Sequence, residues 1–374
     1  MLEKGRISPL ELSVLIIFFT IGTILAIPSV QTAKANQDAW LSSLIGIFVC
    51  VGLAYFYWIC AKPMGRATYS QYLEKVYGKI VGKIISLTYV FFWFIGATTL
   101  TNQFGKFITT QMLVGTPIEV VSLLLTLLII FAVKAGLEVI ARTGELLIPW
   151  FMILFFALVI FLIPQIDLER LSPLYEASFQ QQFSATMDFI ATAGFPLIAF
   201  LMFFPGNMNV PDKSKWNLIA GVFVGAFIVG VFVFLCIVVL GATTTARQMY
   251  TSYVLAKSVS LFDIIERIEA VMASMWILTI FFKTAIYFYS CVVCFADVLN
   301  VKQYRFLAIP IGILTLLYST IVYPNVAYMS QWYERYWVPY SLIMGFIIPL
   351  LTLIIDKMKS RFKQTNNKVS TGVN

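Results

Sequence analysis

Apolar positions along this chain gather into long runs, and polar positions gather into short turns between them. Crossing the hydrocarbon core of a bilayer takes about 20 mostly apolar residues in a helix. Ten runs meet that requirement, at roughly 11–33, 40–61, 81–106, 118–138, 145–165, 187–206, 216–241, 267–296, 306–324 and 337–356. They predict an all-α integral membrane protein of about ten transmembrane helices. No linker or low-complexity stretch divides them. Residues 1–374 therefore read as a single polytopic membrane domain, with a basic tail over 358–374.

Two runs are broken near their middles. The first reads Phe19-Thr20-Ile21-Gly22-Thr23-Ile24, with Pro28 after it. The sixth reads Ala191-Thr192-Ala193-Gly194-Phe195-Pro196, then Phe203-Phe204-Pro205-Gly206-Asn207. Proline removes a backbone donor and collides with the preceding turn, while glycine relaxes the chain, so local unwinding is expected at both. Five spans lie in each half, so the second half enters the membrane from the opposite side. The expected inverted repeats cover about 9–165 and 184–357. Interrupted helices at matching places in two inverted halves point to a transporter-type site near the midplane.

Composition narrows the class. Of 374 residues, 60% are hydrophobic and 12% charged, about half the charge of a soluble protein. With a mean hydropathy of +0.88, this cannot cover a water-facing surface. Soluble enzymes, disordered scaffolds and nucleic-acid partners are excluded together. No nucleophile elbow, phosphate-binding loop or dinucleotide fingerprint is present, and there is no histidine. The chain is expected to be no enzyme, with no catalytic residues, no metal and no cofactor. Cys50, Cys60, Cys236, Cys291 and Cys294 lie in or beside apolar runs, so the CxxC of Cys291 and Cys294 reads as buried, inert thiols.

The net charge of +8 is mainly a topology signal. With the N-terminus cytoplasmic, 18 basic residues fall on the inner side, among them Lys357, Lys359, Arg361, Lys363 and Lys368 of the tail, against seven outside. Both termini are therefore expected in the cytoplasm. Basic flanks of this kind suit anionic lipid, with the lipid bilayer as partner. Glu3, Lys4 and Arg6 precede a first run that reads as an anchor and not a cleaved signal.

Ionisable groups inside a membrane are costly, so each requires an account. Stepping along span eight at helical spacing gives Glu266, Glu269, Ala273, Trp276, Ile280, Lys283, Tyr287, Ser290 and Cys294 in one sector. Lys283 lies near mid-span and should face the bundle interior. It could exchange protons, act as a fixed cation opposite a carboxylate, or simply bond carbonyls of an unwound neighbour. Glu266, Arg267 and Glu269 read as a solvated cluster at the outer mouth. Asn102 and Gln103 are candidates to line a cavity, Asp188 to cap span six. Lys134, Glu138, Arg142 and Glu145 read as a structural charge cluster that fixes the turn between spans four and five.

Several of these stretches together carry a resemblance. Ile24-Leu25-Ala26-Ile27-Pro28, Asp38-Ala39-Trp40-Leu41, Gly136-Leu137-Glu138-Val139-Ile140-Ala141-Arg142 with Glu145, and Glu266-Arg267-Ile268-Glu269-Ala270 with Lys283 resemble the spore germination permeases. These are the B subunits of nutrient germinant receptors, within the amino acid–polyamine–organocation superfamily. The resemblance implies the five-plus-five inverted repeat with interrupted helices 1 and 6, in the spore inner membrane. It implies a small nutrient, typically an amino acid, as ligand, and receptor A and C subunits as partners. Carried over from the superfamily, the ligand would be held by the unwound backbone at Gly22, Thr23 and Ile24 and at Gly194, Phe195 and Pro196. Lys283 would stand where sodium-coupled relatives hold an ion between helices 1 and 8.

Two functions fit these readings. One is a nutrient sensor whose ligand shifts a conformational equilibrium; the other is a proton-coupled amino acid symporter. A third reading is a subunit with no ligand pocket, either architectural, against which the interrupted helices argue, or ion-conducting, which conductance recordings would address. The surroundings of Trp93, Phe195 and Tyr287 suggest a small apolar amino acid.

Overall fold

A computed structural model describes residues 5–211, 214–258 and 268–371, the side chains of 362–371 excepted. The helices in chain order are α1 Pro9–Ile21, α2 Ile27–Ala35, α3 Ala39–Ala61, α4 Tyr69–Tyr77 and α5 Lys79–Phe107. Next come α6 Ile118–Ala135, α7 Leu137–Leu162, α8 Phe179–Ala193 and α9 Ser214–Leu240. Two short helices, α10 Ala242–Arg247 and α11 Thr251–Lys257, precede the long α12 Glu269–Leu299. The chain ends with α13 Ala308–Ile321, α14 Val326–Trp332, α15 Val338–Leu342 and α16 Ile348–Thr371. No strand appears among the described residues; Ile7 and Met208 form an isolated parallel bridge.

Nine helical stretches among the described residues are long and apolar enough to cross a membrane, and the shorter apolar α1 precedes them. The first of the nine, Ile27–Met64, holds both α2 and α3, joined through a tight turn at Asn36–Asp38. Joining α2 to α1 across their break then gives ten crossings. At about 1.5 Å per residue, α1 and α2 together reach about 33 Å, one bilayer core.

The breaks fall where Gly and Pro predict them, and the chemistry is local. Helix α1 starts on a Ser8–Glu11 capping box and unwinds over residues 22–26. Pro28 has no N–H for the carbonyl four residues back, Ile24 O, so the Ser252 hydroxyl donates to it instead at 2.7 Å. Helix α8 ends at Gly194 and continues as a tighter helix over Phe195–Met202. Pro196 likewise leaves Thr192 O without its helical donor.

Packing repeats between the halves with the roles exchanged. Helix α1 packs along α9 and against α7, while α8 packs along α3 and, with its tight continuation, against the last span. Helices α5 and α12 pair directly, as do α3 and α9. The outward faces carry lipid-type side chains such as Ile80, Phe131, Trp150 and Ile321, all strongly exposed, as expected where the solvent is hydrocarbon.

Several boundaries differ from the sequence reading. Span six begins eight residues earlier than expected, capped by Ser178, whose hydroxyl accepts from Gln181 N. Asp188 is therefore not its cap; it lies two turns inside α8 and is buried. The last span begins at Val326 and includes wide π-turns at Tyr333–Trp337 and Ile343–Ile347. Its final helix runs on to Thr371, so the expected separate tail begins as a continuation of α16. Glu138 and Arg142 pair at 2.5 Å on α7, with Glu145 exposed further along.

The face that bears the N-terminus is closed. Ile7 N–H donates to Asn207 O at 2.9 Å, Asn209 N–H donates to Ile7 O at 3.0 Å, and Asn207 Nδ2 donates to Gly5 O at 3.0 Å. Nearby, the amphipathic α4 is tied to the ends of two spans. Asp297 of α12 accepts from Thr68 Oγ1 at 2.6 Å, from Gln71 Nε2 at 3.0 Å and from the Ser70 hydroxyl. Tyr72 donates to Asp356 of α16 at 2.9 Å.

Candidate binding site

A cavity of about 380 Å³ lies between the two broken helices and opens toward the face remote from the N-terminus. Its walls are Thr23, Ala26, Ile27, Ser29, Val30 and Ala33 from the first break and α2, Gly96, Thr99, Leu100 and Gln103 from α5, and Asp188 and Thr192 from α8. Lys283 and Tyr287 of α12 form the deep side. Tyr323 and the segment Met329–Trp337 close the rim.

Lys283 is the centre of this arrangement. It is 1% exposed, and its ammonium donates to Thr192 O at 2.9 Å. That carbonyl is the one Pro196 cannot serve, so the lysine takes the place of the missing backbone donor on the broken sixth span. Its Nζ also lies 3.5 Å from Thr23 Oγ1 of the first break and 4.9 Å from the Phe19 ring, within cation–π range. One side chain of span eight thus touches both interruptions.

Gly22 makes this possible. A Cβ at residue 22 would stand 2.7 Å from both Cβ and Cδ of Lys283 and 3.1 Å from Thr279 O, so only glycine leaves a groove for the lysine stem. Gly96 plays a related part for Tyr287, whose ring lies 3.1 Å from where a Cβ would be.

A second charged group faces the cavity from α8. Asp188 is 2% exposed, with Oδ2 2.7 Å from Lys34 Nζ. Lys34 in turn lies 3.9 Å from Glu334 in the first π-turn of the last span. Tyr333 and Trp337 of that turn donate to Asp188 O and Ala191 O at 3.1 and 3.2 Å. At the rim, Tyr323 shares a 2.8 Å hydrogen bond with Thr99. Burial pushes its phenol up to about 12, so it remains a neutral hydrogen-bonding group.

The family is now decidable. A family profile described as spore germination protein matches residues 6–326. The chain belongs to that family. It is 27% identical over 329 residues to spore germination protein KB of Bacillus subtilis (strain 168), covering 87% of each chain. It is 23% identical over 338 residues to spore germination protein XB of Bacillus anthracis, covering 87% of this chain and 91% of that one.

Among solved structures, this family member resembles a nucleobase-cation-symport-1 family transporter in a closed conformation with bromovinylhydantoin bound. The TM-score is 0.69 at 15% identity, covering 91% of this chain and 78% of that one. It also resembles MhsT in complex with L-phenylalanine, at a TM-score of 0.67 and 15% identity, covering 94% and 99%. At such identity the likeness concerns the fold: an all-helical transporter architecture with inverted repeats.

Of the residues singled out from the sequence, Thr23, Tyr287, Lys283 and Gln103 come together on the cavity wall. Gly22 lies just behind it. Ile24 is buried, its carbonyl taken by Ser252. Gly194 faces α3, where an added Cβ would stand 2.9 Å from Cys50 Sγ. Phe195 and Pro196 are buried in the tight continuation, and the Tyr57 hydroxyl shares its proton between Phe195 O and Gly345 O at 2.9 and 2.8 Å. Trp93 packs 5.3 Å from Tyr89 inside the bundle, away from the cavity. Asn102 donates to Ser319 O at 2.6 Å. Glu269 is partly buried at the start of α12, remote from the cavity wall, while Glu266 and Arg267 lie outside the described residues.

Sequence reading missed Thr192, Tyr333, Glu334 and Trp337 as wall or rim groups, and Lys34 as the partner of Asp188. Asp188 and Thr192 stand four residues apart on one face of an apolar helix, a spacing that was available as a signal. The π-turn residues had none, because an expected start at 337 left most of them in a loop.

Proposed function

We propose that this chain is the B subunit of a nutrient germinant receptor, embedded in the spore inner membrane with both termini in the cytoplasm. It binds a small nutrient, an amino acid, in the cavity between the broken helices and works with A and C subunits to trigger germination. Family membership and a transporter-type fold support the reading. The observation that carries it is Lys283, which bridges the two interruptions on the wall of a cavity large enough for an amino acid. A ligand seated there meets the first, sixth and eighth spans together.

Signalling requires that the nutrient bind two conformations with different affinity. Here the cavity is open at one face while Ile7 and Asn207–Asn209 close the other. A ligand that draws α2 and α8 together over Lys283 would favour a second arrangement, which partner subunits could read. Spores carrying Tyr287→Ala or Thr23→Val, at normal protein levels, should need at least tenfold more nutrient to germinate. An unchanged dose response would sink the assignment of this cavity.

The same lysine favours a second reading, a proton-coupled amino acid symporter. Reconstituted protein would then accumulate labelled amino acid under a pH gradient, and Lys283→Ala would uncouple uptake from the gradient. Liposomes that take up none of the twenty common amino acids would count against it.

A further inference from the structure

Two lysines on the face that bears the N-terminus share one tryptophan ring. Lys62 directly follows α3 and Lys215 stands in the first turn of α9, on two spans that pack side by side. Their Nζ atoms lie 3.8 and 4.7 Å from the Trp58 ring centroid, so the two ammoniums are at most about 8.5 Å apart. Lys215 also lies 5.0 Å from the Tyr55 ring and 4.9 Å from that of Trp216.

This pair of charges lacks a counter-ion among the described residues, where none of the ion pairs includes either lysine. The sequence neighbours Asp212 and Lys213 lie outside the described residues and together carry no net charge. A ring face attracts an ammonium through its quadrupole and supplies no lone pair, so each lysine keeps protons for an oxygen acceptor. Lys83 and Lys359, on the same face, differ in this respect: they donate to the backbone carbonyls of Val298 and Val76. Two like charges this close repel, and an anion between them replaces that repulsion with attraction.

The surroundings decide what carries the anion. Tyr55 and Trp216 are exposed near the ends of their spans, where aromatic rings settle against lipid headgroups. From there toward the middle of the membrane, exposed apolar side chains continue on both helices. They include Phe48 and Ile45 on α3, and Phe223 and Phe227 on α9, the last two stacked at 6.0 Å. A soluble anion would meet the lysines alone, whereas a phospholipid meets the lysines and both apolar stripes. One phosphate, with charge-assisted bonds of about 2.8 Å on each side, spans ammoniums up to roughly 8 Å apart. A zwitterionic headgroup would add an ammonium to the two already present, so the fit is to a lipid of net negative charge.

We infer that this end of the α3–α9 seam binds one anionic phospholipid, its phosphate between Lys62 and Lys215 and its acyl chains along Phe48 and the Phe223–Phe227 stack. The site is separate from the cavity, which opens at the other face.

The test uses the full-length chain purified in detergent, with native mass spectrometry reading lipid adducts. Phosphatidylglycerol and phosphatidylcholine with the same acyl chains are titrated in turn. Wild-type protein should bind its first phosphatidylglycerol at least fivefold more tightly than phosphatidylcholine. Lys62→Gln with Lys215→Gln should remove that preference. Lys75→Gln with Lys79→Gln takes the same charge from exposed positions on the same face and should keep it. Excess inorganic phosphate should leave the adduct in place. Equal binding of the two lipids by wild-type protein overturns the proposal, and that comparison decides even if a variant fails to fold. Equal loss of the preference in both double variants would assign it to the charge of the whole face and overturn the site. Displacement of the lipid by inorganic phosphate would overturn the lipid assignment.

Discussion

The ammonium of Lys283 stands where the backbone N–H of residue 196 would stand in an unbroken helix, 2.9 Å from Thr192 O. Proline at 196 creates the orphan carbonyl, and a lysine from another span satisfies it. The pair locks span eight to the break in span six, and Thr23 brings in the break in span one. Removing the amine while keeping the stem tests this relationship. Lys283→Met should leave folded protein, because an apolar stem of similar length still fills the groove beside Gly22. It should strand Thr192 O and lose a charge-assisted bond of about 1.5–3 kcal/mol. Thermal unfolding in detergent should show a correspondingly lower midpoint than wild type, and an equal midpoint would mean that the bond adds nothing to the fold.

Gly22 offers a steric test of the same contact. Gly22→Ala places a methyl 2.7 Å from two carbons of Lys283, and overpacking of this kind costs about 1–3 kcal/mol. The matched control is Gly52→Ala, where nothing lies within 4 Å of the new methyl. Thermal unfolding followed by size-exclusion chromatography should show a lower midpoint for Gly22→Ala and none for Gly52→Ala. Equal midpoints would mean that the lysine stem moves freely.

The two contacts of Lys34 should differ sharply in weight. Asp188 is buried and lies 2.7 Å away, whereas Glu334 is 60% exposed and 3.9 Å away. Losing one partner of a buried pair costs about 3–5 kcal/mol, while an exposed pair contributes at most about 1 kcal/mol. Lys34→Met should therefore destabilise the protein clearly and Glu334→Gln hardly at all, as read by thermal midpoints in detergent. The reverse order would contradict the arrangement at the rim.

On the opposite face, Asp297 gathers three donors from residues 68–71. Asp297→Ala leaves all three without that acceptor and should free α4 from the bundle. Limited proteolysis should then cut between residues 62 and 78 much faster than in wild type. Unchanged cleavage would show that Tyr72 and its Asp356 partner suffice to dock the helix.

Much of the fold was legible because membrane helices announce themselves by length and apolarity, and because Gly22 and the Gly194–Pro196 pair mark breaks by known backbone chemistry. Lys283 was legible for a related reason: a charge in mid-span demands a partner. The partner itself was not, since Thr192 O becomes an acceptor only through the crossing of two spans distant in sequence. Asp188 was misread as a cap because apolar counting began span six at 187, whereas the polar turn Phe179-Gln180-Gln181-Gln182 is helical under a Ser178 cap. Trp93 and Phe195 looked like pocket walls from residue type alone, and tertiary packing turned both into the bundle interior.

The most direct test of the central claim, that the nutrient occupies the cavity between the broken spans, is protection of a cysteine placed on its wall. Ser29 lines the cavity and Leu113 is exposed elsewhere, while the five native cysteines are buried. In membranes holding the full-length chain, Ser29→Cys should react with a polar methanethiosulfonate. Nutrients that germinate the spores should slow that reaction at least fivefold and leave Leu113→Cys unaffected. Equal labelling of Ser29→Cys with and without a saturating germinant would contradict the account.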